Sequence, residues 1–323
     1  MLKYVLKRLG LMIITFVILI FLIFFFIRLM PDFHQTGLNE DEAIRQEWIR
    51  REGIDKPIFE QFIRWVKNIF EDGNFGYSFV RKRDVVEVMK QRLPETIKIN
   101  IVPFLIAVPL GISLGIWAAL RKNKMTDHII SIGVMILISI PSFVIAVLLQ
   151  YLFVYKWKLL PSIYVLPKDE AALDPVGNIL SRILPTVVLA AGMVAGWTRT
   201  LRAELSETLT SEFMLLARAK GLTKSQATFR HALRNAFVPF APAIIGGFVS
   251  LLSGSLIIER TFRIAGVGGL YLSAIGGADG LPDYPMVMVI SVFYLFIGLL
   301  SGIAADLSYG FIDPRIKMGA GKQ

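Results

Sequence analysis

The stretch ARAKGLTKSQATFRHALRN, residues 217–235, lies between two of the most apolar parts of the chain and reads as two short helices joined by a glycine turn. Ahead of it Leu201, Leu205, Leu209, Phe213 and Leu216 recur every three or four residues, the spacing of one helix face. That helix is expected to continue from the preceding apolar segment and to stop at Gly221, because glycine accepts the left-handed backbone that ends helices. Thr223 followed by Gln226 is a capping-box pattern that starts the next helix. The second helix carries Lys224, Arg230, His231 and Arg234 and enters the following apolar segment at Asn235. Such a helix–turn–helix is a rigid lever able to pass force between a soluble partner and membrane spans. A merely basic, lipid-facing loop needs neither a cap, a stop nor an apolar stripe.

The flanks establish that there are spans to move. Charge-free stretches cover 9–27, 99–120, 129–155, 183–198, 235–258 and 284–305 of the 323 residues. A membrane-crossing helix needs about 20 such residues. Only 183–198 falls clearly short, and it spans if Arg182 and Arg199 extend to the two surfaces. The first block is too long for a signal-peptide core, and Arg28-Leu29-Met30-Pro31 is not a small-residue cleavage site, so it reads as a retained span. The expected class is therefore an all-α polytopic membrane protein with six transmembrane helices.

Lysine and arginine counts orient it. With the N-terminus inside, the inner termini and loops carry 16 of these residues, seven of them in 199–235. The short outer loops 156–182 and 259–284 carry six. Long translocated segments such as 28–95 weigh little in this rule. Both termini are expected in the cytoplasm. The net charge of +10 is mostly this bias, so no nucleic acid is required as a partner.

Three regions follow: a tail and first span at 1–30, an extracytoplasmic segment at 31–95, and a core at 96–323 with the loop 199–235. The outer segment is expected to be helical. Residues 39–53 form one candidate helix. In the next, Asp55 is the expected cap, and Ile58, Phe62, Val66, Ile69 and Phe70 share one face. It either lies on the membrane or bundle, or offers a platform to an outside partner. Pro103, Pro109, Pro141, Pro185, Pro239 and Pro242 are expected to interrupt the spans, as suits a bundle that opens and closes.

Several chemistries are missing from the pattern. Ion-coupled carriers place Asp, Glu, His or Arg near the middle of the membrane; the six stretches hold none, Lys98 and Asp306 sit at span ends, and His34, His128 and His231 lie outside them. The same absence opposes an intramembrane enzyme. The tail GAGKQ resembles part of a phosphate loop, but Ile316 stands where its first glycine belongs and Gln323 where Ser or Thr is needed. No cysteine is present, and no metal or other cofactor is expected. The driving energy is expected from other subunits.

At the 217–235 stretch the sequence resembles the permease subunits of ATP-binding-cassette importers, in the dipeptide/oligopeptide (and nickel) branch. Ala217, Gly221 and Leu233 fall in place for the cytoplasmic loop of importers generally. Leu215 stands at the usual glutamate position and Arg234 at the usual proline, departures which that branch shares. Further similar segments are GIDKPIFEQFIRWVKNIFEDGNFGYSF (53–79), RLPETIKINI (92–101), SIPSF (139–143), ERTFRIAGVGGL (259–270, with Ala265 where proline is common), DYP (283–285) and DLSYGFIDPRIK (306–317). In this order they extend over nearly the whole chain.

The resemblance implies the type I importer transmembrane fold in the cytoplasmic membrane of a prokaryote. It implies a subunit without catalysis of its own, paired in lipid with a second homologous permease around a shared path. Two ATPase subunits would sit below and an extracytoplasmic peptide-binding protein above. It assigns ATPase coupling to Glu212, Ala217, Arg218, Ala219, Lys220, Gly221, Leu222, Thr223, His231, Arg234 and Asn235. The cargo is expected to be a dipeptide or oligopeptide, with nickel or another small solute as the alternative; only His34 would face outside to favour nickel.

Overall fold

The computed structural model describes residues 2–30, 50, 53, 55–78, 80–161, 165, 172–276 and 282–312. The candidate helix at 39–53, His34 and the GAGKQ tail fall largely or wholly outside these residues.

The first apolar block becomes helix α1 (Leu2–Arg28). It is followed by α2 (Ile58–Asp72), a two-stranded hairpin of β1 (Tyr77–Ser78) and β2 (Arg83–Asp84), and α3 (Val85–Leu120). Next come α4 (Met125–Ser139), α5 (Ser142–Gln150) with a π-helical extension over Tyr151–Lys156, and α6 (Pro175–Thr208). The loop holds α7 (Glu212–Ala219) and α8 (Lys224–Ala227), the latter leading through a π-helical turn into α9 (Leu233–Ser250). Short α10 (Leu256–Thr261) and α11 (Val267–Gly276) precede α12 (Tyr284–Ile312).

Among the described residues five helical segments are long and apolar enough to cross a membrane, or six if α4 and α5 with its π-helical extension, bent by 93°, form one span. The bend falls at Pro141, as expected, and Pro141 is the one expected interrupter that splits a span. Helix α3 runs through Pro94, Pro103 and Pro109, α6 through Pro185, and α9 through Pro239 and Pro242. Neighbouring helices can satisfy the carbonyls that proline leaves free, so a single proline need not end a membrane helix.

Helix α2 corrects two readings of the outer segment. It begins after Pro57 without a side-chain cap, so Asp55 does not serve. Its inner face seats Ile58, Phe62, Trp65, Val66 and Ile69 against Phe24 and Ile27 of α1 and Tyr284 and Met288 of α12. Phe70 lies on the other side, 85% exposed. The helix thus packs over the bundle, and Gly73 ends it with a left-handed backbone (φ 64°).

Helices α3 and α6 approach most closely through Gly111 and Gly115. A Cβ on Gly111 would lie 2.7 Å from Trp197 Cβ, and one on Gly115 would lie 3.0 Å from Leu201 Cβ. Small residues four apart allow membrane helices to meet backbone to backbone, and Thr198 Oγ1 donates to Gly111 O across the contact at 3.3 Å. Helix α9 meets α12 similarly: Ser301 Oγ donates to Gly246 O at 2.7 Å and pairs with Ser250 Oγ at 3.0 Å.

Arg182, expected to extend to the surface, shares Glu95 with Lys98, at 2.9 and 2.8 Å. Arg8 of α1 pairs with Asp306 of α12 at 3.0 Å, and Tyr309 OH donates to Pro239 O at 3.4 Å. These contacts bring the start of α1, the end of α12 and the start of α9 to one end of the bundle. The 209–235 loop lies there too, because Ala119 at the end of α3 packs in its core.

Candidate functional site: the 209–235 loop

The loop is built on an apolar seam. Leu201 and Leu205 of α6 are fully buried against Met214 and Ala217 of α7, Ala227 of α8, and Ala232, Ala236 and Phe240 leading into α9. Leu209, Leu222 and Leu233 close its edges. The alanines let short helices sit close on the ends of two spans.

One expectation is corrected here. The helix does not run unbroken from Leu201 to Leu216: α6 ends at Thr208 and α7 starts at Glu212. Hydroxyls in SETLTS (206–211) bond back to the preceding turn: Thr208 Oγ1 to Glu204 O at 2.7 Å, Thr210 Oγ1 to Glu207 O at 2.9 Å, and Ser211 Oγ to Thr208 O at 2.5 Å. Such bonds compete with the helix ladder. The break re-aims the stripe, so Met214 and Ala217 face inward while Phe213, Leu215 and Leu216 face out.

The stop and restart stand as read. Gly221 has φ +89°, and Gly221 N donates to Arg218 O at 2.9 Å. Thr223 Oγ1 accepts from Gln226 N at 3.3 Å, and Gln226 Oε1 accepts from Thr223 N at 3.0 Å, completing the capping box. The next segment, Thr228–Ala232, is a π-helical turn rather than the simple helix expected.

Of the loop residues singled out from sequence, Ala217 is buried and Leu222 half-buried. Glu212, Arg218, Ala219, Lys220, Gly221, Thr223, His231, Arg234 and Asn235 are exposed. The exposed surface also carries Phe213, Leu215, Leu216 and Phe229, 40–66% accessible, which the coupling assignment did not include. Their type was visible; their direction depends on the break at 209–211.

Beside the loop, Arg202 of α6 grips Asp127 of α4 with two parallel bonds, Nε to Oδ1 at 2.5 Å and Nη2 to Oδ2 at 2.8 Å. Asn123 N and Ser131 Oγ also donate to that carboxylate, at 2.9 and 3.2 Å. The two-pronged geometry fixes the angle between α4 and α6 as well as their distance.

At the opposite end, Glu259 is fully buried although it lies only one residue beyond a charge-free stretch. Its Oε1 accepts from Thr96 Oγ1 at 3.1 Å and its Oε2 from Gly268 N at 2.7 Å and Gly269 N at 3.1 Å. It thereby caps the N-terminal end of α11, where unpaired N–H groups favour an anion. Asp283 accepts from Ser78 Oγ at 2.6 Å and Arg81 Nη1 at 2.9 Å. RLPETIKINI therefore meets ERTFRIAGVGGL, and GNFGYSF meets DYP, each pair through a buried carboxylate.

The loop, these paired segments and the span order coincide with one family. Residues 111–318 match the family described as binding-protein-dependent transport system inner membrane component, and residues 1–100 match that system's N-terminal membrane component. The chain belongs to this family. It is a multi-pass membrane protein of a transport system.

Within the family the chain is similar to the dipeptide transport system permease protein DppB of Lactococcus lactis subsp. cremoris, 32% identical over 98% of this chain and 100% of the relative. It is likewise similar to DppB of Bacillus subtilis, at 32% over 98% and 99%. The oligopeptide transport system permease protein OppB of Haemophilus influenzae matches at 32% over 98% and 100%. The fold is similar to that in a crystal structure of an amino acid ABC transporter with histidines, with TM-score 0.50 and 17% identity over 69% of this chain and 94% of the other. In this family member the bonds of Thr96 to Glu259 and of Ser78 to Asp283 join the N-terminal matched segment to the core.

Proposed function

We propose that this chain is the membrane-spanning permease subunit of an ATP-driven importer of dipeptides or oligopeptides. It forms the translocation path with a second homologous permease, and its 209–235 loop engages a cytoplasmic ATPase. The observation that carries the coupling is the outward apolar face of Phe213, Leu215, Leu216 and Phe229 on a loop locked by Gly221 and the Thr223–Gln226 box. Seating each of these side chains in a partner groove contributes about 2 kcal/mol, enough for a joint that transmits force without coming apart. The DppB and OppB names of relatives spanning the whole chain support peptide as cargo.

The packing supplies the route for that force. The loop core grips α6 and α9; α6 is held to α3 through Gly111 and Gly115, and α9 to α12 through Gly246 and Ser301. A displacement of α7 and α8 therefore moves two span pairs. Lysine and arginine bias puts this end in the cytoplasm, and ATP hydrolysis belongs to the partners.

Gly221 tests the coupling. No heavy atom lies within 4 Å of where its Cβ would stand, so a side chain meets no clash and acts only on the backbone. Gly221→Val strains that left-handed turn by about 1–3 kcal/mol, whereas Gly221→Asn enters this region more readily. In the complete assembly, ATP hydrolysis stimulated by peptide-loaded binding protein is expected to fall about tenfold in the valine variant and to persist with asparagine. Full stimulation in Gly221→Val contradicts the role given to the loop.

A further inference from the structure

Around helix α2 three kinds of side chain fall into three separate sectors. One sector packs on the bundle, through Ile58, Phe62, Trp65, Val66 and Ile69. A second is polar, with Glu60 paired to Arg64 at 3.1 Å and Lys67 to Glu71 at 3.6 Å. Between them runs a narrow third sector of Phe59, Ile63 and Phe70, which at about 100° per residue lie within about 40° of one another. All three are 51–85% exposed. The fold of this chain thus leaves a line of large apolar side chains uncovered on a helix whose other faces are partnered.

Contacts with α1 place that line at a definite depth. Phe59 and Phe62 meet Phe21 edge to face at centroid distances of 6.1 and 5.2 Å, and Phe62 and Trp65 meet Phe24 at 5.4 and 5.9 Å. The charge-free stretch of α1 ends at Ile27, just before Arg28. At 1.5 Å per residue Phe21 lies about 9 Å inside that limit, and the hydrocarbon of one leaflet is about 15 Å thick. The first turns of α2 therefore stand beside acyl chains and not above the membrane. On its other flank α2 touches Tyr284 and Met288, in the opening turns of α12. Leu22 and Phe26, next to the ring contacts, are exposed on a membrane-crossing helix, so the line on α2 continues a surface whose solvent is lipid.

We infer that α2 lies in the outer surface of the membrane, with Phe59, Ile63 and Phe70 inserted among the upper acyl carbons of the outer leaflet. A helix lying in this plane buries its apolar face about 5–10 Å into the headgroup boundary, the depth that Phe21 fixes here. The ion pairs of the polar sector are internal, so the occupant is phospholipid held by apolar insertion and not by headgroup charge. The anchor holds more than itself. Trp65 Nε1 donates to Phe75 O at 3.3 Å, just ahead of the hairpin whose Ser78 and Arg81 grip Asp283 at the head of α12. The leaflet thereby sets the height at which the outer ends of α1 and α12 are clasped. This needs only that α1 crosses the membrane with its N-terminus inside, and is independent of cargo and ATPases.

The test attaches a nitroxide to the single-cysteine variants Ile63→Cys and Phe70→Cys, in the assembly that co-purifies with this chain, held in nanodiscs of phosphatidylethanolamine and phosphatidylglycerol. Arg64→Cys on the polar sector and Phe26→Cys on α1 serve as the water and lipid references. Collisions with oxygen, which concentrates in lipid, are compared with collisions with a water-soluble nickel chelate. Ile63→Cys and Phe70→Cys are expected to give oxygen-to-nickel ratios several-fold above that of Arg64→Cys and close to that of Phe26→Cys. A ratio like that of Arg64→Cys puts the line in water and overturns the inference. Low collision rates with both reagents mean that a protein partner covers it, and overturn it as well. A photoreactive benzophenone side chain at position 70 gives a second readout that keeps an aromatic ring and depends on neither cysteine variant. Illumination is expected to attach phospholipid, and attachment to protein alone contradicts the inference.

Discussion

Thr96 and Glu259 stand 163 residues apart in the chain and share one buried hydrogen bond, Oγ1 to Oε1 at 3.1 Å. Thr96 Oγ1 also accepts from Val267 N at 2.8 Å, so a single hydroxyl ties the start of one span to both sides of the turn that follows another. Thr96→Val keeps the shape and removes the hydroxyl. It orphans the Val267 N–H and takes one donor from a buried carboxylate, a cost of about 1–3 kcal/mol for each group left unpaired. The purified protein in detergent is expected to melt at a lower temperature, and Thr96→Ser to restore most of the loss. Equal melting of Thr96→Val and wild type would mean that the two segments are held by packing alone.

The Asp127–Arg202 pair is unequal in its exposure, with the carboxylate 1% and the guanidinium 31% accessible. Removing the cation therefore strands a buried charge, whereas neutralising the anion leaves a guanidinium that water can reach. Arg202→Gln is expected to cost about 1–3 kcal/mol, less than a fully buried pair because Arg202 is partly solvated. Asp127→Asn should cost less, since its amide oxygen can still accept from Asn123 N. Unfolding midpoints of the two variants check the order. The opposite ranking would show that the pair is governed by the arginine's desolvation.

Much of this structure is legible in the sequence, for identifiable reasons. Charge-free stretches locate the spans because lipid admits few alternatives to a helix. Gly221 and the Thr223–Gln226 box mark their turn because both act locally. The break after Thr208 is not legible in apolar spacing, which continues smoothly through Leu209 and Phe213, while the hydroxyls of Thr208, Thr210 and Ser211 act through hydrogen bonds that spacing does not weigh. The burial of Glu259 is not legible in the sequence because it depends on Thr96, 163 residues away, and on two glycine N–H groups that the turn brings to it. The Gly111–Gly115 contact had a visible signal, two glycines four apart within an apolar segment, whose partner face on α6 only the fold reveals.

The orientation is open to direct labelling, since the chain has no cysteine of its own. Asp72 and Ser225 are exposed, whereas nearby Asn74 is a poorer choice because its Oδ1 accepts from Gly76 N at 2.9 Å. Asp72→Cys is expected to react with an impermeant thiol reagent added outside intact cells. Ser225→Cys should react only after the membrane is opened. The reverse pattern would invert the bundle and remove the loop from any cytoplasmic partner.

The central claim is that movement of cargo through this chain is driven by ATP acting through residues 209–235. The six charge-free stretches offer no acidic residue or histidine to carry a coupling proton, and a ligand drives a conformational change only by its differential affinity for the two states. The most direct measurement is uptake of labelled peptide into proteoliposomes holding this chain, its partner permease, both ATPases and the binding protein. With ATP present and an ionophore collapsing the proton gradient, uptake is expected to continue at the rate seen without ionophore; with ADP in place of ATP it is expected to stop. Uptake that persists with ADP and disappears with ionophore would contradict the account.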